Sequence, residues 1–157
     1  MQRAGAAAAS WMLQHDWRSA AVYVGTGNNG GDGWLIAGLL REHGWTVRVH
    51  ASGDPGTADA RRAKIIAERD GPFATPTGSE AVIVDALLGT GSRGAPRDAI
   101  ADAIAAIRRD ADGVRPVVAI DIASGLDATT GQADGALAAD HTLTFGGVKR
   151  GQLLRRD

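Results

Sequence analysis

The chain has 157 residues, with 17 Lys and Arg against 18 Asp and Glu, so no general attraction to nucleic acid or an anionic membrane is expected. Apolar residues make up 44% and charged residues 22%, the balance of one globular domain with its own core. It has no cysteine, which excludes disulfides, thiolate nucleophiles and cysteine-ligated metals and fits a cytoplasmic setting. His15, His43, His50 and His141 show no metal-ligand spacing. No apolar run approaches the roughly 20 residues that cross a bilayer.

The opening stretch, Arg3 to Leu13, is rich in alanine and leads into Gln14-His15-Asp16, so a packed helix is expected there in preference to a signal peptide. Val22-Tyr23-Val24 then reads as a strand that runs into Gly25-Thr26-Gly27-Asn28-Asn29-Gly30-Gly31-Asp32-Gly33 and the apolar helical segment Trp34 to Leu40. Strand, tight loop and helix follow one another, and the unpaired amides that open the helix face the loop. Trp45 to Ala51 alternates as a second strand. Thr57 is placed to cap a helix through about Arg69, which Asp70-Gly71-Pro72 ends. Ala81 to Val84 is a continuously apolar strand closing on Asp85, followed by a second glycine-rich loop, Gly89 to Gly94. Pro96 opens a helix with Ile100, Ile104 and Ile107 on one stripe. Pro116 to Ile120 is a buried-type strand that ends at Asp121, and Ser124-Gly125-Leu126-Asp127 forms the next loop. Thr142 to Phe145 is the last strand, before Gly146-Gly147.

Strands alternating with helices predict an α/β fold, a three-layer α/β/α Rossmann-like arrangement with a mostly parallel central sheet. Parallel strands present their carboxyl ends on one edge, where ligands of open α/β sheets bind. Asn28, Asn29 and Asp32, then Asp85, then Asp121 and Ser124 all follow strand ends, so one crevice gathers them. Each also has a plainer reading. Asp32 serves equally well as a helix cap, Asp85, Asp121 and Ser124 as turn formers, and Lys149 as a solvated surface lysine unless the tail folds inward. Trp11, Trp17, Trp34 and Trp45 read as packing residues, and Arg108-Arg109 and Arg155-Arg156 as exposed charge.

Gly25-Thr26-Gly27-Asn28-Asn29-Gly30 satisfies the dinucleotide pattern G-x-G-x-x-G. It is a poor cradle of the standard type. His50, Ala51 and Ser52 stand where an acidic ribose partner belongs, Asp54 lies beyond them, and Asp32 brings negative charge to the pyrophosphate position. A larger set of motifs is more specific. Gly25 to Gly33 resembles G-x-G-N-N-G-G-D-G, Val84 to Gly91 resembles V-D-A-L-[FL]-G-T-G, and Asp121 to Asp127 resembles D-I-P-S-G-[LW]-D. Ala139-Asp140, Thr144-Phe145-Gly146, Lys149 and Gly151 resemble A-D-x-T-[VL]-T-F-[GA]-x-x-K-x-G. In this order, over nearly the whole chain, they resemble the NAD(P)H-hydrate epimerases, the YjeF amino-terminal domain type. Thr26 and Ala123 depart from it by standing where proline is common, which removes no chemical group.

That resemblance implies interconversion of the R and S hydrates of NADH and NADPH (NADHX and NADPHX), a repair of damaged cofactor. It implies that Asn28, Asn29, Gly30, Gly31 and Asp32, then Gly89, Thr90, Gly91, Ser92, Arg93, Gly94 and Ala95, and Asp121 contact the hydrate. It also implies a potassium ion held by Asn29, Asp85 and Ser124, oxygen donors suited to a hard cation. Asp121 is the expected acid and base, with Lys149 as a lesser helper. Residues 1–157 are expected to be one such domain cut short at the carboxyl end, and at the amino end as well, and to be fused to or partnered with a nucleotide-dependent dehydratase. Whether two copies pair is left open. Two rival functions stand beside the epimerase: a non-catalytic scaffold of the same type, and a dehydrogenase using intact NAD(P).

Overall fold

The computed structural model describes residues 2–155. The elements run α1 (Gln2–Met12), β1 (Ser19–Val24), α2 (Asn28–Glu42), β2 (Thr46–Ala51), α3 (Ala58–Ala67), β3 (Val82–Ala86), α4 (Asp98–Ala111), β4 (Val117–Ile120), β5 (His141–Leu143) and α5 (Arg150–Leu154). The five strands form one parallel sheet in the order β2-β1-β3-β4-β5. This is the expected α/β architecture.

Sequence pattern explains the layers. β3 and β4 are buried at every residue, as continuously apolar strands must be when both faces of a parallel sheet are covered. Along β1, Val22 and Val24 turn towards the core beneath α1, α2 and α3, where Met12, Trp34, Ile36 and Leu40 pack. Ala21 and Tyr23 face the opposite layer, with Ile104 and Ile107 of α4. Each isoleucine fully withdrawn from water there contributes about 1.5–3 kcal/mol. The Tyr23 hydroxyl crosses to α4 and donates to Asp110 at 2.7 Å. Burial, and then the neighbouring Asp110 charge, push its pKa well above the ordinary value.

Boundaries differ from expectation where local chemistry decides them. Thr57 caps α3 as its sequence position implies, its hydroxyl accepting from the Ala60 N–H at 3.1 Å. Helix α4 starts later than Pro96, at Asp98, because Arg97 is extended at the capping position. Helix α5 is not foreshadowed by the sequence pattern. It is a five-residue turn without apolar period, so no periodicity signals it.

The order β2-β1-β3 creates the feature that matters for function. From β1 the chain first moves outward to β2, then returns across β1 to lay down β3. The loops leaving β1 and β3 therefore part in opposite directions and leave a crevice between them. Helix α2 begins at that crevice and is pressed onto the sheet at Gly33. A Cβ there would lie 2.6 Å from the Ala86 Cβ and 2.7 Å from Val24 Cγ1. Gly33→Ala is accordingly expected to destabilise the fold by about 1–3 kcal/mol, read as a lower urea midpoint with the slope unchanged.

Candidate functional site

The crevice has a volume of about 680 Å³ and is bordered by Thr26, Gly27, Asn28, Asn29 and Asp32 from the β1–α2 junction, by Leu87 to Ser92 after β3, and by Asp121 after β4. Ala4 of α1, Ile100 of α4 and Phe145 complete the wall. Backbone crowding shapes the β1 side. A Cβ on Gly30 would stand 1.9 Å from the Gly25 carbonyl oxygen, so only glycine lets α2 start this close to the strand that feeds it. Gly27 takes the capping position with no side-chain hydrogen bond, which leaves amides of the first turn free for an anionic ligand.

The polar side chains are fixed from outside that loop. Thr57, having capped α3, donates its hydroxyl proton to Asn28 Oδ1 at 2.8 Å. Asn29 donates Nδ2–H to the Leu88 carbonyl at 2.8 Å, which leaves its amide oxygen available. Below it, Asp85 and Ser124 are both 0% exposed. Asp85 Oδ1 accepts from the Ser124 hydroxyl at 2.6 Å and the Leu87 N–H at 3.2 Å, and Oδ2 accepts from the Ser124 N–H at 2.8 Å. The Ser124 hydroxyl also accepts from the Leu88 N–H at 3.0 Å. Asn29, Asp85 and Ser124 thus meet through Leu88. Burial pushes the Asp85 carboxyl pKa up, and its hydrogen bonds oppose that only in part. Among the described residues it has no ionic partner.

Asp121 sits just past β4 in the left-handed region, φ +68°, which aspartate tolerates better than most residues. Its Oδ1 accepts from Lys149 Nζ at 2.6 Å and from the Phe145 N–H at 3.2 Å. Lys149 is the main departure from sequence reasoning. It is not a solvated lysine but is 15% exposed, its ammonium also donating to Thr144 Oγ1 (2.9 Å), the Phe145 carbonyl (2.6 Å) and the Gly147 carbonyl (2.9 Å). The tail does fold inward. The Lys149 N–H donates to Gln152 Oε1 at 2.8 Å, and Gln152 Nε2 donates to the Asp121 carbonyl at 3.0 Å, so α5 clasps Asp121 from both ends.

Asp32 does not cap α2. It lies in the second turn of the helix, and its Oδ1 is buried without any partner. Burial, and then the negative charge of Asp121, raise its pKa from 3.8 to about 6, with a Gly5 backbone N–H pulling the other way.

Other expected contact residues are distributed less evenly. Gly30 and Gly31 are buried inside the first turn of α2 and do not border the crevice, while Arg93, Gly94 and Ala95 lie beyond its rim. Asp127 is a turn former. Its Oδ1 accepts from the Thr129 and Thr130 N–H groups at 2.9 and 2.7 Å. Of the expected exposed charges, Arg156 lies outside the described residues. The roles of Thr57 on Asn28, of Phe145 and of Gln152 escape sequence reasoning because each acts through a tertiary contact that no local spacing encodes.

The Asp32 environment has a measurable consequence. Because its folded pKa lies above 3.8, the folded state holds the proton more tightly than the unfolded chain does. Its stabilising contribution is complete below about pH 4 and is lost as pH rises through about 6. Thermal melts should show this decline in the wild type and a flatter profile in Asp32→Asn.

The family described as YjeF-related protein N-terminus matches residues 1–151. The bifunctional NAD(P)H-hydrate repair enzyme of Leishmania major is 42% identical over 172 residues, covering 98% of this chain and 29% of that protein. The bifunctional NAD(P)H-hydrate repair enzyme Nnr of Escherichia coli K12 is 42% identical over 146 residues, covering 88% of this chain and 28% of that protein. This chain therefore spans less than a third of either relative's length. The crystal structure of yeast YNL200c superposes with a TM-score of 0.75 at 18% identity, over 90% of this chain and 67% of that one, a likeness of fold. The glycine loop, the Asp85 and Asp121 strand ends and the inward Lys149 all fall within the matched span, and the chain belongs to the YjeF-related protein N-terminus family.

Proposed function

We propose that this chain interconverts the R and S hydrates of NADH and NADPH in the crevice between the β1 and β3 loops. One observation carries the reading: Asn29 and Asp121 border the same crevice, and the fully buried Asp85–Ser124 pair is joined to its wall through Leu88. The curated relatives, called NAD(P)H-hydrate repair enzymes, supply the substrate class. A fully buried carboxylate with neighbouring amide and hydroxyl oxygens, and no ionic partner among the described residues, fits a monovalent cation. Among those residues no group of three or more His, Asp or Glu side chains gathers that would hold a transition metal. Asn29, Asp85 and Ser124 would hold potassium there. The ion would supply positive charge that offsets the cost of burying Asp85.

The chain's own residues do the rest. Free amides at the start of α2 receive the dinucleotide's phosphates, and Asn28 and Asn29, oriented by Thr57 and Leu88, present fixed amide groups beside them. In the hydrate, C6 bears a hydroxyl next to the ring nitrogen. The nitrogen lone pair expels that hydroxyl as a proton reaches it, leaving a planar iminium, and water then adds to either face. Asp121 exchanges the proton, held in place by Lys149 and Phe145. A dehydratase, fused to or partnered with this domain, would then consume one of the two epimers, which gives epimerisation its purpose. The cytoplasm is the compartment proposed for this work. Among the described residues no helix is long and apolar enough to cross a membrane.

Two measurements check this. Purified protein added to R-NADHX should form the S epimer on chromatography faster than the hydrate alone, and Asp121→Asn should lose about 10²–10⁴-fold of that rate. An Asp121→Asn rate equal to wild type removes the assignment. Potassium chloride should also raise the melting temperature of the wild type above its value in an equal concentration of choline chloride. Asp85→Asn should respond to both salts alike.

A further inference from the structure

We propose that Asp32 is a second acid–base group of this reaction, serving the crevice from α2 while the Asp121–Lys149 ion pair serves it from the end of β4. The inference rests on the epimerase reading and adds a residue role to it.

Geometry supports it first. Asp32 and Asp121 reach the same crevice from different elements, so a planar ring lying there can meet a carboxyl group from more than one side. The two groups are treated differently. Asp121 is paired with Lys149 at 2.6 Å and anchored by the Phe145 N–H. Asp32 has a buried oxygen with no hydrogen-bond partner, and no ion pair among the described residues. Asp32 stands in the second turn of α2, past the positions that cap a helix, so capping does not account for it. A buried carboxyl oxygen left unsatisfied calls for an explanation, and a carboxyl group that holds its proton while bordering the crevice supplies one. The charged groups around it are Asp121, with Lys149 behind that, and the Gly5 N–H of α1 donates to it. Their sum, with burial, leaves Asp32 titrating near 6. Two carboxyl groups in one site whose environments differ this way divide the work of acid and base.

The chemistry balances without any further reagent. In the R to S direction the C6–O bond breaks, the departing oxygen takes the Asp32 proton and leaves as water, and the ring nitrogen lone pair forms the C=N bond. A second water attacks C6 from the other face, the electron pair returns to nitrogen, and the attacking water gives its proton to the Asp121 carboxylate. One proton has moved from Asp32 to Asp121, and solvent returns it. The S to R direction exchanges the two roles.

The test is the pH dependence of kcat and KM for R-NADHX epimerisation in saturating potassium chloride, with the enzyme-free rate subtracted at each pH. Wild-type kcat is expected to fall as pH rises through the Asp32 titration. Asp32→Asn is expected to lose about 100-fold or more in kcat, to change KM far less, and to lose that limb of the profile. An Asp32→Asn enzyme with wild-type kcat and profile overturns the proposal, and so does one altered in KM alone, which would make Asp32 a binding residue only. Carboxyl ¹³C titration of the wild type, with Asp32 assigned through its backbone correlations, decides the question even where the variant folds poorly. Titration near 6 supports the role, and titration in the ordinary aspartate range overturns it. A wild-type protein that does not epimerise R-NADHX fails at the underlying reading instead, so the two failures are told apart.

Discussion

The carboxyl edge of the sheet hangs on one buried contact, the Asp85 carboxylate held by the hydroxyl and amide of Ser124. A carboxylate withdrawn from water has to be met by hydrogen bonds or a positive charge. Here the bonds come from the segment that follows β4, 39 positions along the chain. Meeting that demand ties the ends of β3 and β4 together. Through the Leu88 N–H and carbonyl it also tethers Ser124 and Asn29 to the same loop. The crevice floor is therefore a hydrogen-bonded plate spanning the exits of β1, β3 and β4, and the glycine loop is laid against it.

Above that plate the side chains fall into two kinds. Asn28 and Asn29 are oriented by neutral partners and keep their amide chemistry at any ordinary pH. Asp32 and Asp121 are ionisable, and their surroundings differ: an ammonium and a backbone N–H hold Asp121, whereas Asp32 has burial and an unpaired oxygen. The division follows from topology. Asp121 lies after β4, where the returning chain brings Lys149, while Asp32 lies within α2 beside Gly5 of α1, and Asp121 adds negative charge to it. Position in the fold, and not residue type, gives the two aspartates different surroundings.

Much of this was legible in the sequence, for physical reasons that also mark the boundary of legibility. The apolar runs of β3 and β4 and the Thr57 cap are local patterns, and each stands where its pattern placed it, whereas the glycine stretch after β1 is a loop only as far as Gly27, since α2 already begins at Asn28 within it. The gathering of Asn29, Asp85 and Ser124 was readable because parallel strands share one carboxyl edge. What did not read was contact across that edge. Lys149 as a sequence residue has every mark of surface charge, and only Asp121 and the loop carbonyls of Phe145 and Gly147 show why it folds inward. Asp32 beside a helix start looks like a cap until the helix is seen to begin at Asn28. Helix α5 is too short for its residues to show any period, and its reason to exist, Gln152 on Asp121, is tertiary.

That short helix has a further meaning for the working protein. The clasp on Asp121 is made by the last described turn of the chain, where Leu153 and Leu154 stay half exposed and little apolar area secures it. Segments of this kind open independently of the core, at a fraction of the free energy needed to melt the sheet. Fraying of α5 releases Lys149 and Gln152 together and leaves Asp121 without its cation while every strand remains in register. Amide exchange at Gly151 and Gln152 would report such an opening, which the melting temperature of the sheet does not.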